Sequence, residues 1–412
     1  MGAAHRRLGT GVRRAAPPIR RFLRIPGWLA VGSLLAVALA FPKAAAGQPS
    51  EPIDVGFEVV SLAYSPDGAQ LAASGASGHA HLYDAATGDL KFELSIPFPQ
   101  QNIERQEADQ RCDHVVFSPD GKQLAGLFNG EWDFVRGPDN QRINFYGLTR
   151  GIVVWNTITG KTYKIYELGR RVGMVPDGTK KVAGAGAGGA LDDGLTRAEG
   201  TRTIAFVDGG QRMIGDLGNM WRIGVGDDGA LNEGQDPVVF VAAAGEEGDR
   251  VTVSPKGIVR FWDYRDRLAG QAKCKPPIRV GRNGQTSLRS IAMSGDGARL
   301  ALGVIDGVRL FDVAERKAQR PIRIRGRKPG PVLAVAFSPD GAQLATGHAS
   351  GAVKVWDVES REELREWAPA KGEELPAARA VAFVPAGDRL AVARGTEIEF
   401  LEVAEDTATG DE

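Results

Sequence analysis

The chain has 412 residues, with 51 Lys and Arg against 51 Asp and Glu, 42% hydrophobic and 25% charged side chains, and two cysteines. A zero balance argues against a nucleic-acid binder, which needs a positive field over phosphates. The apolar fraction argues against wholesale disorder, and two cysteines make neither a disulfide framework nor a four-thiolate zinc site. Glycine is the outlier, at 54 of 412 residues against a usual share of about 7%, which suggests the tight turns of an all-β chain.

The first 24 residues carry Arg6, Arg7, Arg13, Arg14, Arg20, Arg21 and Arg24 and no acid. An apolar run follows from Gly27 to Phe41, then the small residues Ala44-Ala45-Ala46-Gly47. This is the three-part pattern of a secretory signal peptide, expected over residues 1–46. The run of 15 residues is short of the roughly 20 that cross a bilayer core, so cleavage is preferred over retention of residues 27–41 as an anchor. No cysteine follows the run, which argues against a lipid-anchored N-terminus, and Arg20-Arg21-Phe22 is only a weak match to a twin-arginine signal. Without residues 1–46 the chain has 43 positive against 51 negative charges. Such an acidic exported domain would gain nothing electrostatic from an anionic lipid face.

Beyond residue 46 one phrase recurs. It reads Ser65-Pro66-Asp67-Gly68, Ser118-Pro119-Asp120-Gly121 and Ser338-Pro339-Asp340-Gly341, with weaker copies at Val175–Gly178, Phe206–Gly209, Met293–Gly297 and Phe383–Gly387. Alternating apolar stretches flank it, as in Val332, Ala334, Ala336 and then Leu344, Thr346, the period of a strand. Pro fixes φ and Gly accepts a positive φ, so the phrase predicts a tight hairpin turn. A further run closes each unit on an aromatic and an acid or amide: Tyr83-Asp84, Trp155-Asn156, Trp262-Asp263, Phe311-Asp312 and Trp356-Asp357, with Leu401-Glu402 degenerate. The last turn phrases are spaced by 44 and 46 residues, near the period of about 40–45 of a four-stranded blade.

Eight candidate units start near residues 57, 112, 170, 201, 237, 287, 330 and 377. The third has a turn without a closing strand, and the fifth a closing strand without an Asp-Gly turn. Units this small cannot bury a core alone and must share one domain. Residues 47–56 are expected to supply the outer strand of the last unit. The polar tail from Ala404 through Glu405–Glu412 is expected to fray.

The stretch from Phe337-Ser338-Pro339-Asp340-Gly341 to Val353-Lys354-Val355-Trp356-Asp357 resembles a WD repeat, and residues 55–404 resemble the WD-repeat β-propeller family. The resemblance implies an all-β fold: a single β-propeller over 47–404 of seven or eight four-stranded blades, with seven preferred. The family's Gly-His before the first strand is replaced by Gly330-Pro331, and its Asp in the second hairpin turn survives only at Asp306-Gly307. The buried His–Asp–Ser–Trp network of the family is therefore expected to be mostly absent.

Residues 129–149 are the clearest irregularity. Leu71 to Tyr83 spans 12 positions in the first unit, whereas Leu124 to Trp155 spans 31 in the second. The excess holds Trp132, Phe134, Arg136, Arg142, Phe145 and Tyr146, aromatic and Arg side chains of the kind that anchor interfaces. They are the candidate partner-binding residues, against the alternative of a decorative loop capping a neighbouring blade. The long polar connection Pro97 to Arg111 is expected on the same rim.

Other patterns favour bland readings. Gly184 to Gly189 spells G-x-G-x-x-G but leads into Ala190-Leu191-Asp192-Asp193-Gly194, a flexible loop rather than a helix start over a phosphate. Asp227-Asp228-Gly229 with Glu233 and Asp236 lacks calcium-loop spacing and reads as a solvated loop. His79 and His81 alternate on one strand side without a third ligand, and His114 and His348 read as ordinary strand or turn residues. Cys112 and Cys274, 162 positions apart, are expected as two buried thiols, not a bridge. No catalytic, metal or cofactor residue is assigned. The expected function is a non-catalytic scaffold for an unidentified protein partner outside the cytoplasm, in the periplasm, on the cell surface or secreted. It would bind no nucleic acid, and would meet a membrane only if residues 27–41 are retained. The alternatives are a hydrolase-like propeller enzyme, or a glycan binder at the channel mouth with Trp132 or Tyr146 stacking on the sugar.

Overall fold

The computed structural model describes residues 51–75, 78–94, 109–132, 135–136, 142–143, 145–174, 203–215, 219–222, 226–230, 238–244, 249–280, 286–324, 330–370 and 373–403. Among them, seven antiparallel sheets of four or five strands follow one another along the chain, together with a two-stranded ribbon. The first sheet takes Val59–Tyr64, Gln70–Gly75, Ala80–Asp84 and Leu90–Leu94 in order, and the second takes Asp109–Phe117, Gln123–Trp132, Phe145–Asn156 and Thr162–Met174. The third and fourth start at Ala205–Val207 and Phe240–Ala244. In the fifth, Lys317–Ala318 and Ile322–Arg323 both pair with Gly307–Asp312. The sixth runs from Val332–Phe337 to Glu363–Trp367. The seventh holds Ala378–Phe383, Arg389–Arg394 and Glu397–Glu402, and its fourth strand, Ile53–Asp54, comes from the beginning of the chain.

The apolar core lies between the sheets. Leu82, Leu124 and Trp155 join the first sheet to the second, Ile152, Tyr166 and Phe206 the second to the third, and Val207, Val241 and Trp262 the third to the fourth. Phe240, Phe261, Leu300 and Phe311 join the fourth to the fifth, Leu310, Leu344 and Trp356 the fifth to the sixth, and Val355, Val381 and Leu390 the sixth to the seventh. Tyr83, Ala391 and Ile398 then join the seventh back to the first. A sheet buried on both faces reads as near-continuous apolar runs, such as Gln70–Gly75, rather than clean alternation. Sheets packed face to face in a closed cycle make a β-propeller. Pairing of Ile53 with Ile398 and Asp54 with Glu397 closes the ring with strands from both ends of the repeat region, as expected for residues 47–56.

The recurrent phrase is the turn from first to second strand. Ser65 Oγ donates to Asp67 Oδ1 (2.6 Å) and accepts from Gln70 N (2.9 Å), while Asp67 Oδ1 accepts from Ala69 N (3.0 Å). The same three bonds form at Ser118/Asp120, Ser294/Asp296 and Ser338/Asp340. The Ser hydroxyl is the main influence holding Asp120, Asp296 and Asp340 below the usual carboxylate range. The closing acid or amide serves the next turn: Asp84 Oδ1 accepts from Ala86 and Thr87 N, and Asn156 Oδ1 from Ile158 and Thr159 N. These are Asx turns, in which a short polar side chain substitutes for a backbone acceptor.

Two expectations are corrected. No unit begins near residue 170, because Thr162–Met174 is the outer strand of the second sheet. Asp227, Asp228 and Gly229 are not in a loop but in the outer strand Gly226–Ala230 of the third sheet. Val175–Gly178, Gly184–Gly194, Glu233, Asp236, residues 1–46 and the tail 405–412 lie outside the described residues.

Candidate interaction face

Neighbouring strands alternate in direction. The turns between first and second strands therefore share one face of the ring with those between third and fourth strands. The second-to-third connections and the links to the next sheet share the other face. On that second face the second sheet departs from its neighbours. Its second and third strands have 10 and 12 residues, against 6 and 5 in the first sheet. Pairing continues past Phe128–Gly151 through Asn129–Arg150, Gly130–Thr149, Glu131–Leu148 and Trp132–Gly147. The flanking strands lengthen with it, pairing Asp109 with Glu131 and Phe145 with Met174. Four more residue pairs at about 3.4 Å each extend the sheet by roughly 14 Å. Beyond them the short ribbon pairs Val135 with Ile143 and Arg136 with Arg142.

The segment expected as an irregular connection is therefore largely a continuation of the sheet. Trp132 ends its second strand, Arg136 and Arg142 face each other in register across the ribbon, and Phe145 and Tyr146 begin its third strand. Phe134 lies outside the described residues, as does most of Pro97 to Arg111, whose last three residues fall in the strand Asp109–Phe117.

His81, His114 and His348 hold the fold. His79 is exposed, whereas His81 is partly buried, with Nδ1 3.0 Å from Tyr83 Oη and its ring edge-on to Phe57. Burial pushes its pKa down. His114 accepts from the backbone N of Ile204 through Nδ1 (3.3 Å), linking the second sheet to the third, and desolvation lowers its pKa to about 4. Among the described residues no three His, Cys, Asp or Glu side chains cluster as metal ligands. Cys112 and Cys274 are free and buried, and burial pushes both thiols up to about 12.

In the sixth sheet Trp356 Nε1 donates to Thr346 Oγ1 (3.0 Å), Thr346 Oγ1 lies 3.0 Å from His348 Nε2, and His348 Nδ1 lies 3.4 Å from Gly330 O. His348 and Thr346 are fully buried. Two stretches of the chain, residues 54–84 and 320–357, match the profile of the WD domain, G-beta repeat family. The first stretch begins on the outer strand of the seventh sheet and the second between the two short outer strands of the fifth, and they end on the aromatic–Asp pairs Tyr83-Asp84 and Trp356-Asp357. The chain is a β-propeller with two stretches similar to WD repeats. A comparison with curated proteins returns no match.

The propeller keeps more of the buried network implied by the WD-repeat resemblance than its sequence suggests. Gly330-Pro331 replaces the usual Gly-His, but His348, two residues beyond Thr346 on the same strand, takes up the hydrogen bond and returns it to Gly330 O. His348 thus lies on a strand, as expected, but also carries a buried hydrogen-bond chain. In the fourth sheet Trp262 Nε1 donates to Thr252 Oγ1 (3.0 Å) at the matching position. In the second sheet that position is Gly126, where an added Cβ would stand 2.7 Å from the Trp155 ring, so Gly leaves the ring its space.

A charged clamp between the third and fourth sheets was invisible in the sequence. The Arg250 side chain has no solvent exposure; it pairs with Asp208 and reaches Asp266 Oδ1 at 3.0 Å. Arg212 pairs with the same two acids, at 2.7 Å to Asp266. Desolvation works against the Arg212 cation, but its hydrogen bonds to Asp208 and Asp266 outweigh that and raise its pKa. Both aspartates sit at positive φ, 52° and 60°, in turns that bring carboxylates from two sheets onto one pair of cations.

Proposed function

We propose that this propeller is a rigid, non-catalytic protein-binding platform, exported from the cytoplasm, with seven blades and its partner surface on the extended second blade. WD-repeat propellers commonly mediate protein–protein interaction. The observation that carries the reading here is the four-stranded extension of the second sheet beyond the ring face, which puts Trp132, Arg136, Arg142, Phe145 and Tyr146 on one projecting element. Aromatic and Arg residues on a rigid strand pair lose little entropy when bound. Phe134 belongs to the same stretch of sequence. The non-catalytic reading is supported by the structural employment of His81, His114 and His348 and the burial of both thiols. Export rests on the Arg-rich, apolar and small-residue order of residues 1–46; among the described residues no helix is long and apolar enough to cross a membrane.

Point variants test the surface. Trp132→Ala and Arg136→Glu, each expressed as the full chain, should lose the partner that wild type captures by crosslinking in intact cells. A substitution on the opposite face, Asp120→Asn, should retain it. Equal capture by all four proteins would remove the partner surface from the second blade.

A further inference from the structure

Charge is distributed unevenly around the ring. The sequence stretch 271–329, which runs from the end of the fourth sheet through the fifth, carries fourteen Lys and Arg against four Asp and Glu. Outside this stretch and residues 1–46, the chain has 29 Lys and Arg against 47 Asp and Glu. The stretch of sequence that builds the fifth sheet is therefore basic within an otherwise acidic chain. Within it lies a cavity of about 350 Å³ lined by Pro276, Asp306, Arg309, Pro321, Arg323 and Ile324. Asp306 stands in the second-to-third-strand turn and Pro276 in the connection from the fourth sheet, so the cavity opens on the same face as the extended hairpin but on a different blade.

Arg309 is built into this cavity. Its side chain is only 5% exposed; Nε donates to Pro276 O (3.2 Å) and Nη2 to both oxygens of Asp306 (2.8 and 3.0 Å). Among the described residues nothing else accepts from Arg309, so Nη1 remains available on a guanidinium that is already oriented. Arg323 is exposed at the cavity edge, and Lys275 and Arg279 of the incoming connection are exposed too. Prolines and Ile324 supply apolar wall. The oriented Nη1 of Arg309 and the exposed Arg323, beside apolar surface, suit a carboxylate carried next to an aliphatic side chain.

We propose that this cavity binds a short acidic peptide segment of a partner protein, an Asp or Glu carboxylate on Arg309 and Arg323 with an adjacent apolar side chain against Pro276, Pro321 and Ile324. The volume accepts one or two side chains, not a nucleic-acid strand. Asp306, 62% exposed, disfavours any anion at the guanidinium, and a doubly charged phosphate about twice as strongly as a single carboxylate. The acidic remainder of the ring would likewise repel a polyanion or anionic bilayer extending past this blade. The site is separate from the second-sheet hairpin and does not depend on it.

The test is fluorescence anisotropy of the full chain with a labelled heptapeptide of leucine, glutamate and aspartate. Its counterpart with glutamine and asparagine replaces the acids. The acidic peptide should bind, weaken as salt rises, and bind at least about tenfold more tightly than the amide peptide. Arg323→Glu, an exposed change that spares the fold, should cost about the same factor. Arg309→Gln should do likewise where circular dichroism shows it folded, and Arg323→Glu carries the test where it does not. Equal binding of acid and amide peptides, or unchanged binding by Arg323→Glu, would overturn the proposal. So would tighter binding of a single-stranded oligonucleotide, or of vesicles containing phosphatidylglycerol.

Discussion

Pro385, in the turn of the last sheet, packs against Gly68, in the turn of the first: a Cβ on Gly68 would stand 3.1 Å from Pro385 Cγ. The same relation links neighbouring turns at Pro66 and Gly121, Pro119 and Gly210, and Pro339 and Gly387. The proline that bends one turn thus covers the glycine of the next, so the recurrent phrase both makes a hairpin and joins blades. Gly68 also needs its positive φ of 73°. Gly68→Ala should destabilise the ring by about 1–2 kcal/mol from backbone strain alone, plus a contact cost. Gly56 has a φ of 80° but nothing within 4 Å of an added Cβ, so Gly56→Ala isolates the strain. Urea midpoints should fall further for Gly68→Ala than for Gly56→Ala; equal shifts would deny the interlock.

The Trp356–Thr346–His348 chain predicts that Thr346→Val strands two buried polar groups, the Trp356 Nε1 and a His348 nitrogen. Each orphan costs about 1–3 kcal/mol. Thr346→Ser keeps the hydroxyl and should recover most of the loss. Chemical denaturation with Trp fluorescence checks both; equal destabilisation by Val and Ser would show that the methyl, not the hydroxyl, matters.

Stability should also fall with mild acid. Desolvation depresses the His348 pKa from the usual 6.5 to about 4, and does the same to His114. Between these values the unfolded chain binds protons that the folded chain refuses. The stabilisation is therefore complete above pH ~6.5 and is lost as pH falls toward ~4. For His348 this amounts to on the order of 3 kcal/mol. The urea midpoint should drop steadily from pH 7 to pH 4.5, and His348→Asn should flatten that slope while lowering stability at pH 7. A wild-type midpoint unchanged over this range would contradict the buried, neutral histidines.

Arg250 tests the inter-sheet clamp. Removing a buried cation leaves Asp208 and Asp266 with half their partners, a loss of about 3–5 kcal/mol. Arg250→Met should therefore destabilise strongly despite its similar length, and much less in a background of Asp208→Asn, because the partner charge is already gone. Additive effects of the two substitutions, measured by denaturation, would mean that the ion pair carries no coupling.

These elements differ in how they show in the sequence. Ser65-Pro66-Asp67-Gly68 is legible because every bond that makes the turn lies within five residues of Ser65. Tyr83-Asp84 and Trp356-Asp357 are legible for the same reason: the acid caps its own turn, and the aromatic is a large residue at a fixed strand position. The hidden features depend on register. His348 joins Thr346 to Gly330 only once the strand and the preceding link are in place. Arg250 meets Asp208 across 42 positions and a sheet boundary. The extension over Asn129–Trp132 reads as a long connection, because its pairing with Gly147–Arg150 has none of the alternation or turn residues that mark a strand. Thr162–Met174 misleads in the opposite sense, since an unusually long outer strand overruns the position where the next unit was expected. Arg309 and the cavity beside it need Pro276, from the preceding connection, and Pro321, from the outer strand region, to come together.

The central claim is that the extension of the second blade holds the partner. The decisive measurement is crosslinking in intact cells with wild type and with a deletion of residues 133–146, both checked by circular dichroism and by the urea midpoint. The account predicts one near-stoichiometric protein crosslinked to wild type and absent from the deletion, with the two propellers equally folded. The same protein crosslinked equally to both, or none crosslinked to wild type, would contradict it.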